Sequence, residues 1–400
     1  MEALPLLFAC HGILRMRLFT RPLLIATLVL VSSGAPIAAT TDIDAMFKSF
    51  KLKFEKSYAS ADEELARRGI FVANIAKIKR LNDAEKLAAY PPYGHLTPFM
   101  DLTIEEFRQK LGATVPAHIT PVANGPAPRK LSSKNRTSRR FYADQTPQIS
   151  TNEVDAKNVT VFSYCPGPNC SPMQNQGACG DCWAFTATEV LETVTALNGG
   201  GLTRLSPQEL VDCYTTSSGV HTTCKTGGQI EFGWQYGEQN GIKTIAQYPL
   251  TSTKSGQVGK CNGGQTSTGE VSSYSDAGAG NEQTMLNKLD DYGPIGVLVD
   301  ASNWQFYDGG KTNGNPGCTP ITNCGTTVEH AVEIVGTYNS TVTYVDGWVI
   351  RNHWSTAWGC QLSGEGGYAF LAIGNTCGIA SHPVMVDVST KVGERNNTQP

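Results

Sequence analysis

The sequence predicts an α+β chain in which a mostly helical N-terminal region precedes a larger, cysteine-rich region of short strands around one long helix. Three observations predict it. Apolar residues recur at helical spacing between residues 42 and 87. Eleven of the 12 cysteines lie between Cys165 and Cys377. Glycine-rich, β-branched stretches fill the second half. A chain of 400 residues exceeds a minimal single domain.

The first 40 residues read as a signal peptide. Arg15, Arg17 and Arg21 precede the apolar run 23–31, and small residues follow up to Ala38 and Ala39. That run is far short of the roughly 20 apolar residues that span a bilayer, so no stable membrane insertion is expected. Secretion in turn makes disulfides plausible. The net charge of -3 favours no nucleic-acid partner. It hides an asymmetry: residues 41–147 carry 18 Lys+Arg against 12 Asp+Glu, and residues 148–400 carry 11 against 22. A segment of charge +6 thus precedes one of -11, and docking of the first on the second by charge is expected.

Residues 41–116 form the helical region, with Ile70, Phe71, Ile75, Ile78 and Leu81 at helical spacing. Residues 117–149, rich in Pro, Ala, Gly and Ser, read as a linker whose basic stretch Arg136 to Arg140 offers a processing site. Residues 150–388 form the cross-linked domain, and residues 389–400 a disordered tail. The clear helix of this domain starts near Cys182 and runs to Leu197, where Gly199, Gly200 and Gly201 end it. Val190, Val194 and Leu197 share one face, which reads as core. Stretches 295–299, 331–335 and 348–350 read as strands.

Cys182 carries the chemistry. A thiol attacks as thiolate, and a helix N-terminus favours that charge. A thiolate also needs a base, and the base needs orienting; His330, before a strand, and Asn352, beside Trp354, have the right chemistry. Cys179 and Cys182 also form a C-x-x-C, open to reading as a redox pair, half a zinc site or a structural half-cystine. No second C-x-x-C and no His pair at finger spacing exists, so no metal or other cofactor is expected.

The order Cys182, His330, Asn352, with Gln-x-Gln-Gly-x-Cys-x-x-Cys-Trp from Gln174 to Trp183 around the first, resembles the papain and cathepsin family of cysteine proteases. Further matches are Ser206 to Cys213, Gly227-Gly228 and Asn375 to Ala380. Upstream, Glu63, Arg67, Phe71, Asn74, Ile78 and Asn82 reproduce the E-x3-R-x3-F-x2-N-x3-I-x3-N pattern of cathepsin L-like propeptides.

The resemblance implies a papain-like fold: a helical lobe and a β-barrel lobe, preceded by an inhibitory propeptide. It implies a cysteine endopeptidase acting through a thioester acyl-enzyme, made as a zymogen and activated in acid; no paired-His loop of the carboxydipeptidase kind is present. Cys182 would be nucleophile, His330 general base and acid, Asn352 the group orienting it, and Gln176 an oxyanion donor. Gly227 and Gly228 would form the substrate edge. Trp354 would shield the His–Asn bond, and His382 would stand at the floor of the pocket for the second residue before the cut. The implied disulfides are Cys179–Cys224, Cys213–Cys261 and Cys324–Cys377. The further cysteines pair as Cys165–Cys170 and Cys318–Cys360, which leaves Cys182 free.

Implied partners are protein or peptide substrates, the chain's own propeptide and cystatin-like inhibitors, acting on a monomer. Acceptor sites for N-glycans stand at Asn135, Asn158, Asn339 and Asn396, in keeping with a lysosomal or secreted (extracellular) enzyme. Two departures bear on turnover: Asp181 replaces a small residue before the nucleophile, and His353 replaces a serine beside Asn352. They define the rival reading, a catalytically weak or inactive binding protein on the same scaffold.

Overall fold

The computed structural model describes residues 37–85, 90–116, 159–314, 318–340 and 346–388. Residues 1–36, the linker, the acceptors Asn135, Asn158 and Asn396 and the tail lie outside the described residues. Residues 37–44 are helical, so the expected signal boundary after residue 40 falls within a helix, α1 (Ile37–Lys53). The compact unit from Ala45 onward holds the rest of the described structure.

In the pro-segment, α2 (Ala61–Ala84) starts where Ser60 Oγ accepts from the Glu63 N–H at 3.1 Å. Asp62, Glu63 and Glu64 in its first turn suit the positive end of the helix dipole. The regularly spaced residues of α2 each reach something distant. Arg67 meets Glu106 at 2.7 Å, and Phe71 packs on Phe47 and Phe50 with ring centroids 5.4 and 5.3 Å away. Asn74 donates to the Met100 and Leu102 carbonyls, and Asn82 exchanges hydrogen bonds with the Tyr93 backbone. A short α3 (Ile104–Arg108) opens with a reciprocal Thr103–Glu106 capping box. Helical packing alone would bury Phe71 and Ile78; it does not call for two asparagines holding loop backbone.

The domain's long helix α4 (Cys182–Leu197) is buried along almost its whole length. It packs on α5 (Pro207–Cys213) and α6 (Ile230–Asn240), and Val190, Leu191, Val194, Leu205, Leu210 and Trp234 form a core between them. Shorter helices α7 (Ser252–Ser255) and α8 (Glu282–Tyr292) follow. Eight strands form an antiparallel sheet: β1 (Val159–Ser163), β2 (Ser273–Asp276), β3 (Ile295–Val299), β4 (His330–Ser340), β5 (Asp346–Arg351), β6 (Cys360–Leu362), β7 (Glu365–Ala372) and β8 (Val384–Asp387). Their order is β2-β8-β3-β4-β5-β7-β6, with β1 also on β4.

Strand β4 is the hub, because β3 pairs with its first half and β1 with its second. At the crossover a Cβ on Gly336 would lie 2.0 Å from the Phe162 carbonyl oxygen, so only glycine lets β1 approach. The sheet's core, with Ile295, Val332, Ile334, Trp348 and Phe370, runs without a break into Phe71, Phe99 and Phe107 of the pro-segment.

Five disulfides staple the domain: Cys165–Cys170, Cys179–Cys224, Cys213–Cys261, Cys318–Cys360 and Cys324–Cys377. The last four close loops of 42 to 53 residues. Closure on that scale is worth about 4 kcal/mol each in the chain-entropy account.

Candidate active site

Cys182 is the free cysteine among the described residues, and it opens α4. The residue before it, Asp181, is fully buried and leaves the helix uncapped by its side chain. Instead its Oδ2 accepts from Ser252 Oγ at 3.0 Å, and its Oδ1 has no partner. Burial pushes the Asp181 carboxyl up to about 8, so in acid it is neutral. The Cys182 thiol is pushed up to about 12, first by burial and then by Asp181, while backbone groups of Ala331, Gly112 and Trp183 oppose the shift.

His330 begins β4, and Asn352 follows the last residue of β5. His330 Nε2 lies 2.9 Å from Asn352 Oδ1, which also accepts from the His353 N–H at 2.9 Å. Burial drives His330 well below its ordinary value; His353 adds to this, and the bond to Asn352 resists it. Thiol and imidazole are therefore both uncharged in this state.

Trp354 covers the pair, its ring 4.6 Å from that of His330 and stacked on it. Its Nε1 donates to Gln176 Oε1 at 2.8 Å and so aims the other end of that amide. Gln176 Nε2 donates to two carbonyls at 2.8 Å, Cys179 O and Lys110 O.

Lys110 belongs to the pro-segment, which passes through this cleft as extended chain. The Gly228 N–H donates to Gly112 O at 2.9 Å, and the Thr114 N–H to Gly228 O at 2.8 Å, in a parallel bridge between Ala113 and Gly228. The approach is close: a Cβ on Gly112 would stand 1.8 Å from the Gly180 carbonyl oxygen, and one on Gly227 1.8 Å from Gly112 O. Phe99 and Phe107 meet the Trp354 ring edge-on at 5.4 and 5.3 Å. Gln305 donates to the Phe99 and Leu102 carbonyls.

The expectation that charge docks the pro-segment falls on Lys86 and residues 117–147, which lie outside the described residues; residues 41–85 and 90–116 carry 11 Lys+Arg against 11 Asp+Glu. Among the described residues, ion pairs Lys51–Glu64, Lys56–Asp101 and Arg67–Glu106 are internal to the pro-segment, and what meets the domain includes aromatic rings, hydrogen-bonded backbone and the Glu85 carboxylate on Thr322. The domain also presents carboxylates to the pro-segment: Asp300 and Glu329 line a pocket together with Arg108 and Leu111. Lys77 reaches the domain over the Phe306 ring, and Lys110 by donating to Gly177 O, its ammonium lying over the pro-segment's own Phe99 ring.

Of the other expected residues, His382 lies before β8 with its Nε2 2.6 Å from Glu231 Oε1, so the imidazole is held by a carboxylate. Asn339, near the end of β4, is half-buried and donates its amide to Asp346 at 2.5 Å. Sequence reasoning missed the charges beneath the site: Glu189, Glu192, Glu333, Arg351 and the His353 ring, all buried. A signal was available, because Glu189 and Glu192 stand on a helix otherwise apolar or Thr-rich.

Residues 155–386 match the model of the papain family cysteine proteases, and residues 47–107 that of the cathepsin propeptide inhibitor domain. The chain is 30% identical to digestive cysteine proteinase 2 of Homarus americanus, over 88% of this chain and 97% of that one. It is 30% identical to cathepsin L of Sarcophaga peregrina over 90% and 98%. Procathepsin L 3 from the larval midgut of Tenebrio molitor superposes with a TM-score of 0.62 at 26% identity, covering 86% of this chain and 99% of that one.

Proposed function

The chain belongs to the papain family of cysteine proteases and is built as a zymogen, and from that premise we propose how its residues divide the work. Cys182 is the nucleophile and His330 takes its proton. The thiolate attacks the substrate carbonyl carbon, and negative charge develops on the oxygen. Gln176 Nε2 and the Cys182 backbone N–H stabilise that charge. Collapse of the adduct breaks the C–N bond, His330 protonates the departing amine, and a thioester remains on Cys182. Water, deprotonated by His330, then hydrolyses the thioester. Asn352 fixes the imidazole, and Trp354 keeps water from the His–Asn bond.

The observation that carries this reading is the Gln176 amide, held by Trp354 and donating to a peptide carbonyl that lies across the cleft. That carbonyl is Lys110's, and the residues on the Gly228 edge, 112–114, come after it in the chain. In a substrate, the residues on that edge come before the cut carbonyl. The pro-segment therefore threads the cleft backwards, which fits an inhibitor that is not itself cut there. It inhibits in a second way: by burying Cys182 and His330 it keeps both uncharged, and its departure lets solvent in and the ion pair form.

Further assignments belong to the same reading. Maturation proceeds in acid. The pocket for the second residue before the cut presents the His382–Glu231 pair instead of a lone imidazole. The enzyme is a monomer in a lysosomal or extracellular setting and is open to cystatin-like inhibitors. Asn135, Asn158, Asn339 and Asn396 are its glycan acceptors. Labelling with a thiol-directed epoxide tests the core of the reading. Matured protein is labelled at Cys182 with loss of peptidase activity, and Cys182→Ser abolishes both. A folded, matured protein that binds peptides and takes no label would favour the non-catalytic reading, and peptidase activity in Cys182→Ser would overturn the mechanism.

A further inference from the structure

Beneath the catalytic residues lies a set of charged side chains that the mechanism does not use. Glu189 stands seven residues after Cys182 on α4, about 10 Å along the helix axis. Its Oε2 is 3.6 Å from His353 Nδ1 and 3.5 Å from Arg351 Nη1. Arg351 Nη1 also meets Glu333 Oε1 at 2.5 Å, and its Nη2 donates to the Ser171 carbonyl at 2.8 Å. The four side chains are 0% or 1% exposed.

Their placement is what points to a role. Three elements of the site each contribute a member: α4 gives Cys182 and Glu189, β4 gives His330 and Glu333, and β5 with its continuation gives Arg351, Asn352 and His353. The cluster thus ties the nucleophile's helix to the two strands that bring the base and its orienting amide. His353 is the closest link. Its backbone N–H donates to Asn352 Oδ1 and its carbonyl accepts from the Gln176 N–H, both at 2.9 Å. Its ring lies stacked on Phe185 of α4 and 5.3 Å from the His330 ring.

We propose that Glu189 and His353 form a buried positioning pair that sets Asn352 and Gln176 in register with Cys182, with Arg351 and Glu333 as its support. Glu189 Oε2 lies between the His353 ring and the Arg351 guanidinium at near-contact distances, so its position is set from both strand-side groups at once. An unpaired group at this depth would be costly. The charges facing the pair are Glu192 from α4, His330 and Glu333 from β4, and Arg351 from β5, with Arg204 and Glu365 acting from further away. Burial, with Arg351 adding, brings His353 down to about 3, so its ring is neutral at working pH.

The inference rests on the assignments to Cys182, His330, Asn352 and Gln176 above. The test keeps the two apart by using wild-type enzyme, labelled at Cys182 by the epoxide, as the reference in every assay; an unlabelled wild type would overturn that assignment, whereas a labelled wild type with unaltered variants would overturn the pair alone. Zymogens carrying Glu189→Leu, His353→Ala or both are produced as full chains, matured by wild-type enzyme in trans and normalised by active-site titration. Each single variant should lose about tenfold or more in kcat with KM within about twofold, since geometry and not substrate binding is disturbed. Epoxide labelling should slow in parallel, and the double variant should lose no more than the worse single one. Glu189→Gln, which keeps a polar head of the same size facing His353 Nδ1, should recover most of the loss while altering the pH profile of labelling. Should Glu189→Leu fail to fold, Glu189→Gln and His353→Ala carry the comparison. Wild-type kcat and pH profile in the titrated variants, with only a lowered Tm, would overturn the proposal, and so would additive losses.

Discussion

The pro-segment and the domain it covers place their carboxyl groups in opposite surroundings. In the pro-segment, Glu64, Asp101 and Glu106 are paired with Lys51, Lys56 and Arg67. The bond to Arg67 holds the Glu106 carboxyl below its ordinary value. In the domain, Asp181, Glu189, Glu192 and Glu333 are fully buried, and burial drives all four up, Asp181 and Glu192 to about 8. The signs of the linkage differ accordingly. Glu106, depressed when folded, contributes stability above the usual carboxylate range and loses it as pH falls. The buried domain carboxyls, raised when folded, contribute stability that is complete below about 4 and lost as pH rises towards 8. Acid therefore loosens the cover and holds the enzyme together. Glu85 is an exception within the pro-segment: it is buried against Thr322, its carboxyl is raised, and acid favours it.

The comparison breaks most visibly if docking is not aromatic. Phe107→Ala removes a fully buried ring that meets Trp354. A loss of about 3 kcal/mol is expected, on the order of a hundredfold in pro-segment affinity. Peptidase activity of the unprocessed zymogen at neutral pH should rise, while added salt leaves affinity almost unchanged. A steep salt dependence would restore docking by charge.

The matured domain should melt several degrees higher near pH 4 than near pH 8, since even one carboxyl raised by a few units is worth a few kcal/mol. Calorimetry across that range decides it, and a midpoint that climbs with pH would reverse the sign drawn here. Glu192→Gln should flatten part of the slope.

Asp181→Asn sharpens the point at the site itself. In acid the wild-type carboxyl is neutral, so both proteins should react with the epoxide at similar rates. As pH approaches 8 the wild type gains a negative charge beside its thiolate and should fall behind the variant by several-fold. Parallel pH profiles would show that Asp181 does not sense the thiol.

The smallest effect belongs to the pro-segment's surface. Glu106→Gln removes a half-exposed partner of Arg67 and should speed maturation near neutral pH a few-fold. Glu85→Gln should not speed maturation in acid. If Glu106→Gln matures at the wild-type rate at every pH, acid acts elsewhere.

Local sequence carried the fold class a long way. Helix α4 and strand β3 stand where periodicity and β-branching placed them, and the asparagines of α2 stood out because helical packing does not call for them. Cys182, His330 and Asn352 were legible as chemistry, because few residue types can attack, take a proton or orient a ring. The support beneath them was not. Glu189 reads as one polar residue on a helix, Glu333 as one in a strand, and nothing local says that both face Arg351.

What the sequence determined by itself is what depends on neighbours in the chain: helix periodicity, the Cys182 position at a helix start, and the sign of charge along each segment. Only the tertiary structure decided where those charges went. The described pro-segment meets the domain largely through rings and backbone, because a buried ion pair must recover the solvation it gives up, whereas Phe99 and Phe107 lose nothing by leaving water. Likewise Asp181, an expected hindrance to attack, is neutral in acid because the folded domain around it excludes solvent, which outweighs the opposing hydrogen bond from Ser252. Solvent exclusion is set by residues up to 71 positions away, which no reading along the chain can supply.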